Sequence, residues 1–243
     1  MQIIHLDETP STNNYATARL RTEALAEWTI ILTFRQTHGR GQATNTWESE
    51  DFRNLTFSLI LRPEFLSAGS QFLISQAISL GINDFINKES VQSCIKWPND
   101  ILIGNRKVAG ILIENAVMGN TIDWTVAGIG LNLNQHQFKP YSPEAVSLSM
   151  VTGRDYPLQD TLLKLLASLR ARYETLKNGD TELIRHDYLE TLYRYKEWCM
   201  FRSDEATFEG MITGTDEYGR LLVADRSGNE TAWPFKSIRM SDF

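Results

Sequence analysis

Apolar and polar positions change period along this chain, and each change marks an element. Residues 54–62 show the clearest two-residue alternation, with Leu55, Phe57, Leu59 and Leu61 set against Thr56, Ser58 and Ile60, which predicts a strand. Residues 2–6 and 29–36 also read as strands, the second with Ile30, Leu32 and Phe34 on one face. The period then lengthens. Ile74, Ala77, Ile78, Gly81, Ile82, Phe85 and Ile86 recur at helical spacing and predict an amphipathic helix. Leu158, Leu162, Leu165, Leu166, Leu169 and Tyr173 form the buried face of a second helix over 157–177, and a third spans about 181–193.

Turn chemistry punctuates these runs. Thr9-Pro10-Ser11-Thr12-Asn13 is a turn able to cap a helix reaching about residue 27. Ser142-Pro143-Glu144, with serine as cap and proline at the first helical position, predicts a short helix. Residues 94–97 form a short strand ended by Pro98. Gly104-Asn105 and Gly119-Asn120 each separate apolar runs and predict consecutive tight hairpins, hence antiparallel sheet from about 101 to 130. From residue 197 short β-like runs alternate with the turn clusters 216–219 and 225–229. A unit of about 45 residues is near the size at which a lone core is marginal, so it should lean on the rest. The expected division is 1–195 and 196–243.

Composition narrows the function classes. A balance of 24 Lys+Arg against 30 Asp+Glu gives a net charge of −6, which argues against a general nucleic-acid or membrane-surface binder. The two cysteines, Cys94 and Cys199, make no CxxC pair. His5, His38, His136 and His186 are scattered without metal-ligand spacing, so no metal ligands are assigned. No apolar run approaches the ~20 residues of a membrane span and the N-terminus lacks signal-peptide character, so the expected compartment is the cytoplasm.

Four segments could carry chemistry. In Gln36-Thr37-His38-Gly39-Arg40-Gly41-Gln42 a planar cation lies between two flexible residues, suited to a carboxylate or phosphate; an ordinary surface ion pair would use the same residues. Lys96-Trp97-Pro98-Asn99-Asp100 puts a lysine beside a bulky ring at a strand end, where partial desolvation favours an anion; a solvated lysine before a turn is the alternative. Gly128-Ile129-Gly130-Leu131-Asn132 marks a strand that a ligand or another backbone can approach closely, or simply a bulge and turn. Ser11-Thr12-Asn13 is a helix cap whose free N–H groups also suit an anionic or polar ligand.

These segments, in this order, together with Trp47, Asn54-Leu55 and Lys107-Val108-Ala109-Gly110-Ile111-Leu112, resemble the catalytic domain of biotin protein ligases. The C-terminal β segment is similar to that family's small SH3-like domain. The resemblance implies an α+β fold: a mixed sheet packed with helices, class II aminoacyl-tRNA synthetase-like, followed by an SH3-like β-barrel. It implies an ATP-dependent ligase. Biotin is activated as biotinyl-5′-AMP with release of pyrophosphate and with Mg²⁺, then transferred to a lysine of a biotin carboxyl carrier protein or domain. It further implies that Lys96 and Arg40 hold the biotin carboxylate and α-phosphate. Ser11, Thr12, Asn13, Gln36, Gly39, Gly41, Gln42, Gly110, Gly128 and Gly130 would join them around biotin, and Trp47 and Asn132 would stand on the adenylate side. The 36–47 loop would close over the intermediate.

Gln42, Ala43 and Thr44 depart from the family pattern, in which further Arg or Gly often follow Gly-Arg-Gly. Only ten residues precede Ser11, so a monofunctional ligase without an N-terminal DNA-binding domain is expected. A lipoate or octanoate ligase or transferase of the same superfamily, and a non-catalytic biotin-binding regulator, are the alternatives. The chain would act as a monomer or homodimer.

Overall fold

A computed structural model describes residues 1–42, 45–140 and 142–241. Ala43 and Thr44, part of the departure noted above, lie outside the described residues. The elements run β1 (Gln2–Leu6), α1 (Thr12–Leu20), β2 (Thr29–Thr33), β3 (Gly39–Arg40), β4 (Thr46–Trp47), β5 (Leu55–Leu61) and α2 (Phe72–Lys88). Then come β6 (Cys94–Lys96), β7 (Asp100–Ile103), β8 (Arg106–Met118), β9 (Thr121–Leu131), α3 (Leu148–Thr152), α4 (Leu158–Lys177) and α5 (Thr181–Thr191). The chain ends in β10 (Trp198–Ser203), β11 (Thr207–Thr215), β12 (Leu221–Ala224), β13 (Glu230–Trp233) and β14 (Ile238–Met240).

The main sheet has seven strands in the order β1-β2-β5-β9-β8-β7-β6. Only β1 and β2 pair in parallel, so the sheet is mixed. Successive side chains of a strand point to opposite faces. Accordingly Leu55, Phe57, Leu59 and Leu61 enter the large core under α2, α4 and α5, while Ile31, Ile60 and Val126 pack with Ala16 of α1 on the other face. Strand β5 is thus apolar on both faces except at Thr56 and Ser58.

Helix α2 stands where the spacing predicts it with the whole stripe buried, and it is buried almost all round besides, polar Gln76, Ser79 and Asn83 included. It is the central helix, enclosed by the sheet, α4 and α5. Gly81 permits this: a Cβ there would lie 2.8 Å from the Leu169 Cα of α4.

Both Gly-Asn pairs form two-residue hairpin loops, between Ile103 and Arg106 and between Met118 and Thr121, with positive φ at Gly104 and Gly119. Two expectations fail. The helix begun at Ser11 stops at Leu20 rather than about 27. Beyond it the backbone is claimed by the neighbouring strand, since the Arg62 guanidinium donates to the Leu25 carbonyl and the Trp28 amide to Ile60. No helix starts at Ser142-Pro143-Glu144. There the chain runs extended along β8, with Lys107 donating to the Glu144 carbonyl and Val146 to that of Lys107, and α3 begins later under the Ser147 cap.

The last five strands form a second, antiparallel sheet in the order β13-β12-β11-β10-β14. Its Phe201, Ile212, Leu221, Val223, Ile238 and Met240 belong to the same buried cluster as Phe72, Trp97 and Tyr188. The Trp97 indole donates to the Gly219 carbonyl at 2.8 Å. Gly219 has φ +83°, and a Cβ there would meet the Phe72 ring at 2.4 Å, so no larger residue suits this turn.

Candidate functional site

Strand register assembles the site. One row of paired residues crosses the main sheet through Thr33, Thr56, Gly130, Gly110, Asp100 and Lys96, and so shares a face. The next row places Ser58 beside Gly128. This is the face that carries α1, and on it the glycines open a trough.

The near end of the trough is an inner cavity of about 90 Å³, lined among others by Ser11, Thr12, Asn13, Gln36, Arg40, Trp47, Lys107, Gly110 and Gly130. Its polar wall is firmly held. Asn13 is buried, its Oδ1 accepting from Ser58 Oγ at 2.6 Å and its Nδ2 donating to Glu114 at 2.8 Å. Gln36 Oε1 accepts from the Thr12 amide at 2.9 Å and Ser11 caps Asn14, so both serve the start of α1 as well as lining the cavity. The glycines make room for the protein's own side chains. A Cβ on Gly128 would lie 2.3 Å from Asn13 Oδ1, and one on Gly130 would lie 2.1 Å from the Trp47 ring.

The 36–47 segment expected to be a loop folds back as the β3–β4 hairpin, pairing Gly39 with Trp47. This lays the Trp47 indole over Gly110 and Gly130. Arg40 reaches α1 and β8, donating to Asn14 Oδ1 at 2.5 Å and to Glu114 Oε1 at 3.0 Å. Gln42 accepts at its carbonyl from Lys236 Nζ at 2.8 Å.

Beyond Trp47 opens a larger outer cavity of about 640 Å³, within the range of small-molecule sites. Lys96, Asp100, Lys107, Asn132, Lys236 and Arg239 all contribute to its wall. Burial pushes the Lys96 ammonium below the ordinary lysine value; Asp100 opposes this and Lys107 adds to it. Asn132 donates to the Val146 carbonyl at 3.2 Å, while its buried Oδ1 has no hydrogen-bond partner among the described residues.

The structure therefore divides the sequence-derived residues. Arg40, Ser11, Thr12, Asn13, Gln36, Gly41, Gly110, Gly128 and Gly130 gather at the inner cavity, and Lys96 and Asn132 at the outer one; Gln42 and Trp47 border both. Gly39 borders neither, its place being set by the Trp47 carbonyl. Lys96 and Arg40, paired in the sequence reading, line different cavities. The cation standing in both walls, with Trp47 and Asp100, is Lys107, for which the sequence motifs gave no site role. A bulge in β8 sets Ala109 opposite Ile101 but Lys107 opposite Leu102, and this re-aims Lys107 onto the site. Its Nζ lies 2.6 Å from Asp100 Oδ1 and 5.7 Å from the Trp47 ring centroid. The available signal was its place at the head of Lys107-Val108-Ala109-Gly110. Lys236, in the turn between β13 and β14, and Arg239 of β14 come from the C-terminal unit, where no local motif marks them.

The arrangement can hold an extended ligand with an acidic centre. Hydrogen-bonding groups fill one end, cations stand at the middle and far end, and an indole covers the junction. Comparison with known proteins agrees. A bifunctional ligase/repressor BirA of Bacillus spizizenii is 28% identical over 238 residues, covering 93% of this chain and 70% of that protein. A biotin–[acetyl-CoA-carboxylase] ligase of Paracoccus denitrificans is 29% identical over 233 residues, 93% and 95% of the two chains. Among solved structures, a biotin protein ligase from Aquifex aeolicus in complex with biotin and ATP superposes over 99% of both chains with a TM-score of 0.82 and 25% identity. The model of the biotin/lipoate A/B protein ligase family matches residues 6–132, just over half of the sequence, and the chain belongs to that family.

Proposed function

We propose that this chain is a biotin protein ligase that makes biotinyl-5′-AMP from biotin and ATP and transfers the biotinyl group to a lysine of a biotin carboxyl carrier protein or domain. The observation that carries the proposal is the meeting of two cavities at Lys107, one walled by hydrogen-bonding side chains and the other by cations. Biotin enters the inner cavity, with its polar ring toward Thr12, Asn13 and Gln36 and its carboxylate toward Lys107 and Arg40. ATP enters the outer cavity, with its α-phosphate at the junction and its other phosphates toward Lys96, Lys236 and Arg239. The Aquifex aeolicus enzyme, similar over its whole length and bound to these two ligands, supports the assignment.

Chemistry follows from the charges. A carboxylate oxygen attacks the α-phosphorus, the bond to the pyrophosphate oxygen breaks, and the mixed anhydride remains. Then the deprotonated amine of the carrier lysine attacks the carbonyl carbon, the acyl C–O bond breaks and AMP leaves. Negative charge gathers around one phosphorus in the first step, so fixed ammonium and guanidinium groups at the junction act where charge develops. Trp47 over the junction shields the anhydride from water.

Mg²⁺ would offset the charge of the polyphosphate. It is commonly held by one or two carboxylates and the phosphates themselves. The Asn132 Oδ1 orphan and the Asp100 and Glu48 carboxylates, which line the outer cavity, fit such a role. We read the main sheet as class II synthetase-like, the second sheet as SH3-like, 1–195 and 196–243 as the domains, and the cytoplasm as the compartment. No helix among the described residues is long and apolar enough to cross a membrane.

ATP–pyrophosphate exchange tests the reading, with biotin, lipoate or octanoate as the acid. Biotin-dependent exchange is expected. Exchange driven by lipoate or octanoate instead would overturn the substrate, and none with any acid would overturn the activity.

A further inference from the structure

Glu114 lies outside both cavities, yet it is the only carboxylate among the described residues that joins α1 to the β3–β4 hairpin. It stands on β8, four residues beyond Gly110 on the same face of the strand. Its two oxygens serve different elements. Oε2 accepts from Asn13 Nδ2 at 2.8 Å, fixing the amide whose Oδ1 takes the Ser58 hydroxyl. Oε1 accepts from Arg40 Nη2 at 3.0 Å, while Arg40 Nη1 is held by Asn14 Oδ1. Of the five N–H donors of a guanidinium, two are therefore spent on the scaffold and three stay available to a ligand.

We propose that Glu114 is a positioning residue that tethers Arg40, and with it the β3–β4 hairpin, to the polar end of the inner cavity, so that one carboxylate sets both the amide facing the acyl ligand and the cation facing the adenylate. It rests on the reading of the inner cavity as an acyl-adenylate site. The geometry favours this over a chance surface pair. Charge-assisted bonds with defined partners at both oxygens fix a carboxylate in a way a single flexible ion pair does not. Gly128 leaves the space that lets Asn13 reach Glu114 at all, since a Cβ there would displace the Asn13 carboxamide. Hairpin and tether also depend on one another. The Gly41 amide donates to the Asn45 carbonyl within the hairpin, and Arg40 is the side chain by which that turn reaches β8.

Two readouts test the tether in the full chain. Hydrogen exchange at the amides of Gly39, Arg40 and Gly41 is measured without ligand, and release of biotinyl-5′-AMP is followed after single-turnover loading with biotin and ATP. Glu114→Gln keeps the shape and removes the charge that holds Arg40. Exchange at the three amides and adenylate release should both rise about fivefold, the effect of losing one partly exposed, geometrically defined ion pair. Asn14→Ala removes the other anchor of the guanidinium without touching Asn13. It should move both readouts the same way, which keeps the test alive if Glu114→Gln folds poorly. Exchange and release within twofold of the parent in both variants would overturn the proposal. A parent that forms no adenylate would sink the functional reading instead, and the exchange measurement, which needs no substrate, would still decide the tether.

Discussion

Lys107 and Lys96 lie on one face of the sheet but are asked to do different things. Lys107 bonds Asp100 at 2.6 Å, faces Trp47, and borders both cavities, so removing its charge should cost transition-state stabilisation directly. Lys107→Ala is expected to lower biotin-dependent pyrophosphate exchange by about 10²–10³-fold while the protein stays folded. An exchange rate near that of the parent would remove Lys107 from the chemistry. Lys96 is held below the ordinary lysine value of 10.5 by burial, which disfavours its charged form in the free protein. The unfolded chain then binds more protons than the fold between the lowered value and 10.5, so stability rises with pH across that window. Lys96→Met should therefore raise the melting temperature of the ligand-free protein, most at pH values below the lowered lysine value and progressively less above it, while losing adenylation. An unchanged or lowered melting temperature at those pH values would overturn this expectation. The sequence exposes Arg40 and Lys96 because glycines flank one and a Trp-Pro turn follows the other. It hides Lys107 because a one-residue bulge, set by pairing with β7, decides where that side chain points.

Elements carry the site through close approach, and glycine positions show where. Gly128→Ala would place a Cβ 2.3 Å from Asn13 Oδ1 and force out a side chain held by Ser58, Leu112 and Glu114. Biotin affinity, read by calorimetry, should fall about tenfold or more, as for a lost buried hydrogen bond. An unchanged dissociation constant would mean that Asn13 does not face the ligand. Gly81→Ala is the control at another crossing. Its Cβ would press the Leu169 backbone, so α2 and α4 must spread, costing about 1–3 kcal/mol in chemical denaturation with biotin affinity unchanged. Period and turn chemistry made most elements legible: β5, both Gly-Asn hairpins, α4 and α5 stand where alternation, helical spacing and glycine dihedrals put them. The helix expected from Ser142 fails because local capping preference is outweighed by backbone bonds to Lys107. The helix begun at Ser11 ends at Leu20 because the chain beyond it bonds to the β5 side, the Leu25 carbonyl accepting from Arg62 and the Trp28 amide donating to Ile60. In each case a long-range partner, invisible to local pattern, wins.

At the scale of the whole molecule, the change of texture after residue 197 reveals a small β unit but not how it is joined to the rest. Ile212, Leu221, Val223 and Ile238 share one buried cluster with Phe72, Trp97 and Tyr188. Trp97, inside the Lys-Trp-Pro-Asn-Asp segment, donates to Gly219 across the junction, and Phe235 packs at 5.4 Å from the Trp97 ring. Lys236, next to that anchor, donates to Gln42 of the hairpin, and Arg239 borders the outer cavity. The C-terminal unit is thus bonded to both cation-bearing segments, the β3–β4 hairpin and the Lys96–Asp100 segment, and its unfolding cannot leave the site intact. Ile212→Ala, at a buried residue that lines neither cavity, should cost about 2–5 kcal/mol through the void it leaves. The loss should spread: one cooperative thermal transition at a lower temperature, and faster hydrogen exchange in α2 as well as in β11. ATP binding, measured below that transition, should stay close to that of the parent, since no cavity residue has changed. Two separate transitions, with exchange accelerated only within 198–240, would show instead that the sheets fold independently and that their shared cluster is a contact between finished units.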